Sequence, residues 1–150
     1  KTVMQYMKST YMKDLESHLN MFRDMRNYYI DLDNNLFVHG GFSDPRGAMY
    51  EPHKSNFYND TVFWLTAYTM DGRAELHNPT LRPDSYIYKN VYVGKCPTTS
   101  REIDKKCNVY NLNTSPEHIK GRISVMDINT KTVWYSKIAN QYYKLNNKVL

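Results

Sequence analysis

The feature that most constrains what this chain can fold into is the run Leu36-Phe37-Val38-His39-Gly40-Gly41-Phe42. Its first three residues favour extended backbone and pack well on a pleated surface. The strand carries His39 to its C-terminal tip, where two residues without Cβ let the chain turn sharply away. In a layered α/β domain that edge is where ligands collect. A histidine there is either a ligand to a metal or substrate, or an ordinary hydrogen-bonded edge residue. The pattern recurs in Val91-Tyr92-Val93-Gly94-Lys95-Cys96-Pro97-Thr98 and in Val109-Tyr110-Asn111-Leu112-Asn113-Thr114-Ser115-Pro116. Three strands that deliver polar groups to one edge describe a site.

The remaining chain fills in an α/β layout. Leu15, His18, Leu19, Phe22 and Met25 recur at three- and four-residue steps and predict a core-facing amphipathic helix over residues 1–28. Tyr28-Tyr29-Ile30 is a short strand, and Asp31-Leu32-Asp33-Asn34-Asn35 a turn that joins it to the Leu36 strand in a hairpin. Residues 43–57 read as a loop. Asn59 or Asp60 caps a buried helix through Val62, Phe63, Trp64, Leu65 and Ala67 to Met70. Residues 71–86 connect, with at most one further helical turn, and residues 99–107 form a charged loop. Arg122–Ile128 and Lys131–Tyr135 pair as a hairpin around Asn129-Thr130. The expected fold is a mixed β-sheet layer with flanking helices over residues 1–136, followed by a polar tail over 137–150.

Composition narrows the function classes. With 41% hydrophobic and 23% charged residues in 150, the chain can bury one core. Its 14 tyrosines against 5 phenylalanines suit half-buried sheets and protein interfaces. A net charge of +5 is spread along the chain without a basic block, which argues against nucleic acid and membrane surfaces as partners. No apolar run approaches the roughly 20 residues that span a bilayer. Cys96 and Cys107 fit neither a disulfide framework nor a zinc signature, so free thiols in a cytoplasmic setting are expected. A chain that opens at Lys1 rather than methionine is expected to be a processed or excised piece.

Taken in order, Tyr28–Asp31, Leu36–Phe42, the helix around Asp60 and Trp64, Val91–Gly94 with Pro97-Thr98, Val109–Thr114 and Gly121–Asp127 make an ordered set over residues 11–136. That set resembles the C-terminal half of the calcineurin-like metallophosphoesterases, in the serine/threonine-phosphatase-like branch of phages and bacteria. The resemblance implies half of an α/β sandwich whose two sheets hold a divalent metal pair (manganese, iron or zinc) that hydrolyses phosphoesters. Two such ions clamp the phosphate and acidify a bridging water. His39 falls on the family's metal-binding histidine of the His-Gly-Gly motif.

The chain departs from the family where the chemistry sits. The family's Asp-x-His, Gly-Asp-x-x-Asp and Gly-Asn-His motifs occur nowhere in it. Lys95 stands where a second metal-binding histidine belongs, and a protonated lysine has no lone pair to give. Asn113 replaces an aspartate, Ser115 a glycine, and Thr66 the arginine two residues after the helix tryptophan. Arg46 and Arg122 remain as candidate phosphate contacts, because a guanidinium fork matches that anion. The expectation is a degenerate, non-catalytic binding or structural module within a larger assembly. The alternative is a phosphoester hydrolase completed by an N-terminal half or a partner chain. A third possibility is Cys96 as a nucleophile whose thiol pKa Lys95 lowers. Half a sandwich also leaves a sheet face to be covered by a protein partner or by a rearranged sheet.

Overall fold

The computed structural model describes residues 15–73 and 84–138. The expectations for residues 1–14, for 74–83 and for the tail from 139 onward lie outside the described residues. The elements are α1 (Leu15–Asp24), β1 (Tyr28–Ile30), β2 (Asn35–Val38), α2 (Asn56–Asn59), α3 (Val62–Met70), β3 (Asn90–Val93), β4 (Asp104–Lys106), β5 (Val109–Asn111), β6 (Ser124–Met126) and β7 (Val133–Tyr135). Two 3-10 turns, Ala48–Tyr50 and Asp84–Ile87, sit in the connections. The class is α/β: a mixed sheet of order β1-β2-β3-β5-β4, a two-stranded sheet β6-β7, and a few helices.

Strands β2, β3 and β5 run parallel, and β1 and β4 close the two edges antiparallel. Their tips therefore point the same way. The register sorts side chains by face. Ile30, Leu36, Val91 and Val109 line up across one face, and Tyr29, Phe37, Tyr92 and Tyr110 across the other. On the first face Leu36, Val91 and Val109 are fully buried beneath Phe57, Phe63, Trp64 and Ala67 of α2 and α3. Each such side chain contributes about 1.5–3 kcal/mol relative to exposure.

The second face carries a stack of rings instead of a second helical layer. Centroids of Phe37 and Tyr92 lie 4.9 Å apart, and those of Tyr92 and Tyr110 5.2 Å, both near parallel. The hairpin β6-β7 folds over the end of this row. Its Lys131 ammonium sits 5.1 Å from the Tyr92 ring centroid and 4.9 Å from that of Tyr110. Such contacts between a cation and ring faces are attractive, more so where water is displaced.

Three expectations need correction. The charged loop over 99–107 contains a strand: β4 pairs antiparallel with β5, Lys105 opposite Tyr110. Sequence pattern hides it because an edge strand of Asp, Lys and Lys carries no apolar alternation; backbone pairing holds it, with Lys106 also paired to Asp71 at 3.4 Å and Lys105 over the Tyr110 ring. Helix α1 has the predicted stripe, yet it stops at Asp24 short of residue 28, none of its residues is buried, and Phe22 is 61% exposed. In α3 only Phe63, Trp64 and Ala67 are buried, while Val62, Leu65 and Tyr68 face outward.

Candidate functional site

The strand tips converge through the backbone. Gly94 donates its N–H to the His39 carbonyl at 3.0 Å, which joins the tips of β2 and β3. A Cβ on Gly94 would stand 3.5 Å from the His39 Nδ1, so the imidazole lies over the glycine. The tips of β3 and β5 are strapped by two asparagines. Asn113 Nδ2 donates to the Lys95 carbonyl at 3.3 Å, and Asn111 Nδ2 donates to the Cys96 carbonyl at 2.8 Å. Thr98 adds its N–H to the Asn113 carbonyl at 2.9 Å. The backbones at His39, Lys95 and Asn113 thus meet along one edge of the sheet.

The glycine pair after His39 serves close approach. Both glycines keep ordinary negative φ, unlike Gly47 and Gly72. A Cβ on Gly40 would fall 2.5 Å from the Asn56 carbonyl oxygen, and one on Gly41 2.4 Å from Phe63 Cβ. Gly40 donates its N–H to the Phe57 carbonyl at 2.6 Å and Gly41 to that of Asn56 at 3.1 Å. The bare backbone lets α2 and the start of α3 press onto the tip of β2. The N-cap position of α3 is Thr61, and Asp60 just before it takes up the first amides of the helix, its Oδ1 accepting the N–H groups of Val62 (2.8 Å) and Phe63 (3.2 Å).

His39 is exposed, and its ring makes no hydrogen bond with the described residues. That differs from a satisfied edge histidine. Asn113 has both ends of its amide committed, since its Oδ1 accepts the Ser115 N–H at 2.9 Å. Among the described residues no group of three histidine, cysteine, aspartate or glutamate side chains could hold a metal ion. The tip offers one exposed imidazole, a lysine backbone carbonyl already bonded and an engaged amide. Those donors do not fit a metal pair, which needs several nitrogen and oxygen ligands.

The other candidates lie elsewhere. Thr66 is exposed on α3 and lines a cavity that His39, Lys95 and Asn113 do not. The Arg46 guanidinium forks onto Asp44 at 2.8 and 3.0 Å and holds that carboxyl at about 2, well below its usual range. Arg122 pairs with Glu102 at 2.8 Å and stacks 4.1 Å from the Tyr135 ring centroid. The Arg46 fork is thus occupied by a carboxylate of the chain itself, and Arg122 divides its fork between Glu102 and the Arg101 carbonyl. Cys96 corrects the nucleophile expectation. Burial pushes its thiol pKa up, the Asp60 charge pushes it further, and Lys95 offsets these only in part.

Glu51 carries no sequence mark of a site residue. It is 9% exposed and accepts the N–H groups of Ser43, Asp44 and His53 together with the Asn56 side-chain amide. Burial raises its pKa, but the hydrogen bonds from Ser43 and His53 outweigh that and leave it below the ordinary glutamate value. It pins the loop after His39. Only the Glu51-Pro52 turn signal marks it in the sequence, and nothing there shows which amides it will gather.

Among the described residues no helix is long and apolar enough to cross a membrane. Compared with known proteins, the chain matches no family model, no curated protein and no solved structure.

Proposed function

We propose that this chain corresponds to the C-terminal half of a metallophosphoesterase-like domain and acts as a non-catalytic binding or structural module within a larger protein assembly. The observation that carries this reading is the meeting of His39, Lys95 and Asn113 on one edge of three parallel strands, tied by the Gly94-to-His39 and Asn113-to-Lys95 hydrogen bonds. The order of elements agrees with the resemblance, and the donors at that edge do not. An ammonium where a ligand belongs repels a cation. An amide that straps two strand tips is a structural use of the position.

One feature favours a second reading, in which a separate N-terminal segment or partner chain completes a hydrolase. The His39 imidazole is exposed and unbonded by the described residues, so it remains open to a ligand from outside the chain. Metal analysis and a phosphatase assay separate the two. The non-catalytic reading expects purified chain to bind substoichiometric manganese, iron or zinc and to leave p-nitrophenyl phosphate intact. Retention of about two metals per chain, with hydrolysis that His39→Ala abolishes, overturns it.

A further inference from the structure

The two edges of the five-stranded sheet differ. At one of them β4 is an Asp-Lys-Lys segment, and lysines along an edge discourage other chains from pairing with it. At the other, β1 is Tyr28-Tyr29-Ile30, with no charge, no proline and an unbroken register to β2. Asp31 donates its N–H to the Asn35 carbonyl at 3.1 Å, and Tyr29 stands two residues earlier, opposite Phe37. In an antiparallel ladder the alternate residues, Tyr28 and Ile30, then turn their N–H and C=O groups away from β2. Those groups make no hydrogen bond with the described residues. We propose that two copies of this chain pair through β1, antiparallel about a two-fold axis at Tyr29, so that their sheets join into one.

The match is to a second copy because β1 is complementary to itself. With Tyr29 on the axis, Tyr28 of each copy faces Ile30 of the other. Each such pair exchanges two hydrogen bonds, so one contact closes every backbone group that β1 turns outward. The side chains agree with this register. Tyr29 ends the row of rings, 6.0 Å from Phe37, and is 52% exposed. The axis sets it against its own counterpart at a non-hydrogen-bonded position, where side chains stand closest, and the row runs on from one sheet into the next.

Charge selects the same orientation. Arg26 precedes β1, while Asp31 and Asp33 follow it. Antiparallel pairing brings the basic start of each strand to the acidic end of its mate, twice over. Parallel pairing would set like charges side by side. The pairing does not depend on how the His39 edge is read.

Sedimentation velocity of the full chain tests it. The contact is short, so a weak dimer is expected, forming as concentration rises from about 10 μM to about 1 mM. Tyr29→Lys faces two ammonium groups across the axis and is expected to weaken association about tenfold or more. Tyr29→Cys sets two thiols at a spacing that suits a disulfide, and mild oxidation is expected to give a covalent dimer. Leu32→Cys, fully exposed but far from its counterpart in this register, is expected to give none. A chain that stays monomeric at about 1 mM overturns the proposal. So does a dimer that Tyr29→Lys leaves intact, which would place the contact elsewhere, or cross-linking of Tyr29→Cys no faster than that of Leu32→Cys.

Discussion

Single residues decide how the loop after His39 is held. Glu51 collects three backbone N–H groups and the Asn56 amide. Replacing it with glutamine removes the charge-assisted part of these bonds, and a loss of about 1–3 kcal/mol by chemical denaturation is expected. The sign of its pH dependence follows from a depressed folded-state pKa. Its contribution is complete above the unfolded glutamate pKa and disappears as pH falls through the folded value. The wild-type melting temperature should therefore drop more than that of Glu51→Gln as pH falls from about 5 to about 2.5, below the ordinary glutamate range. Gly41→Ala places a methyl 2.4 Å from Phe63 Cβ, and overpacking of that kind costs about 1–3 kcal/mol. The Cys96 thiol, raised by burial and by Asp60, is expected to react with a disulfide reagent more slowly than free cysteine at neutral pH. Reaction as fast as free cysteine would contradict the burial argument.

At the scale of elements, the sheet is one-sided in its energetics. Its helix-covered face holds the apolar core, and its other face holds a row of rings topped by Lys131. Leu36→Ala, at the centre of the covered face, is expected to cost about 2–5 kcal/mol in a denaturant melt. Phe22→Ser on α1 is expected to shift stability by less than about 0.5 kcal/mol, because that ring is 61% exposed and packs on no core. The contrast matters because the two residues look alike as apolar positions in their local patterns. Periodicity identifies which residues share a stripe. Whether another element covers the stripe depends on how the chain packs around it.

At the scale of the whole molecule, the hairpin β6-β7 is tied to the main sheet rather than tethered loosely. Thr114 Oγ1 donates to the Arg122 carbonyl at 2.6 Å, and Ser124 Oγ donates to that of Leu112 at 3.0 Å. Ile103 donates its N–H to the Tyr135 hydroxyl at 3.2 Å. Trp64 sits in the core and Trp134 on the hairpin, which allows each part to be followed separately. Fluorescence of Trp64→Phe and of Trp134→Phe is expected to report the same melting midpoint, as for one cooperative unit. Two separated midpoints would show that the hairpin melts alone.

The strands β1, β2, β3 and β5, the helix α3 with Asp60 at its start and the closing hairpin are all legible from residue type and spacing. Each rests on local physics: alternation, turn chemistry or a side chain that bonds its own backbone. The position of His39 at a strand tip follows from the same local rules. Tertiary structure alone decided that β2, β3 and β5 run parallel side by side, so that His39, Lys95 and Asn113 share an edge. It alone showed that Gly40 and Gly41 are needed for contact with α2 and α3, that Glu51 gathers the loop, and that an Asp-Lys-Lys segment becomes a strand. In each of these cases the deciding partner lies across the fold, and its identity depends on packing that no local pattern encodes.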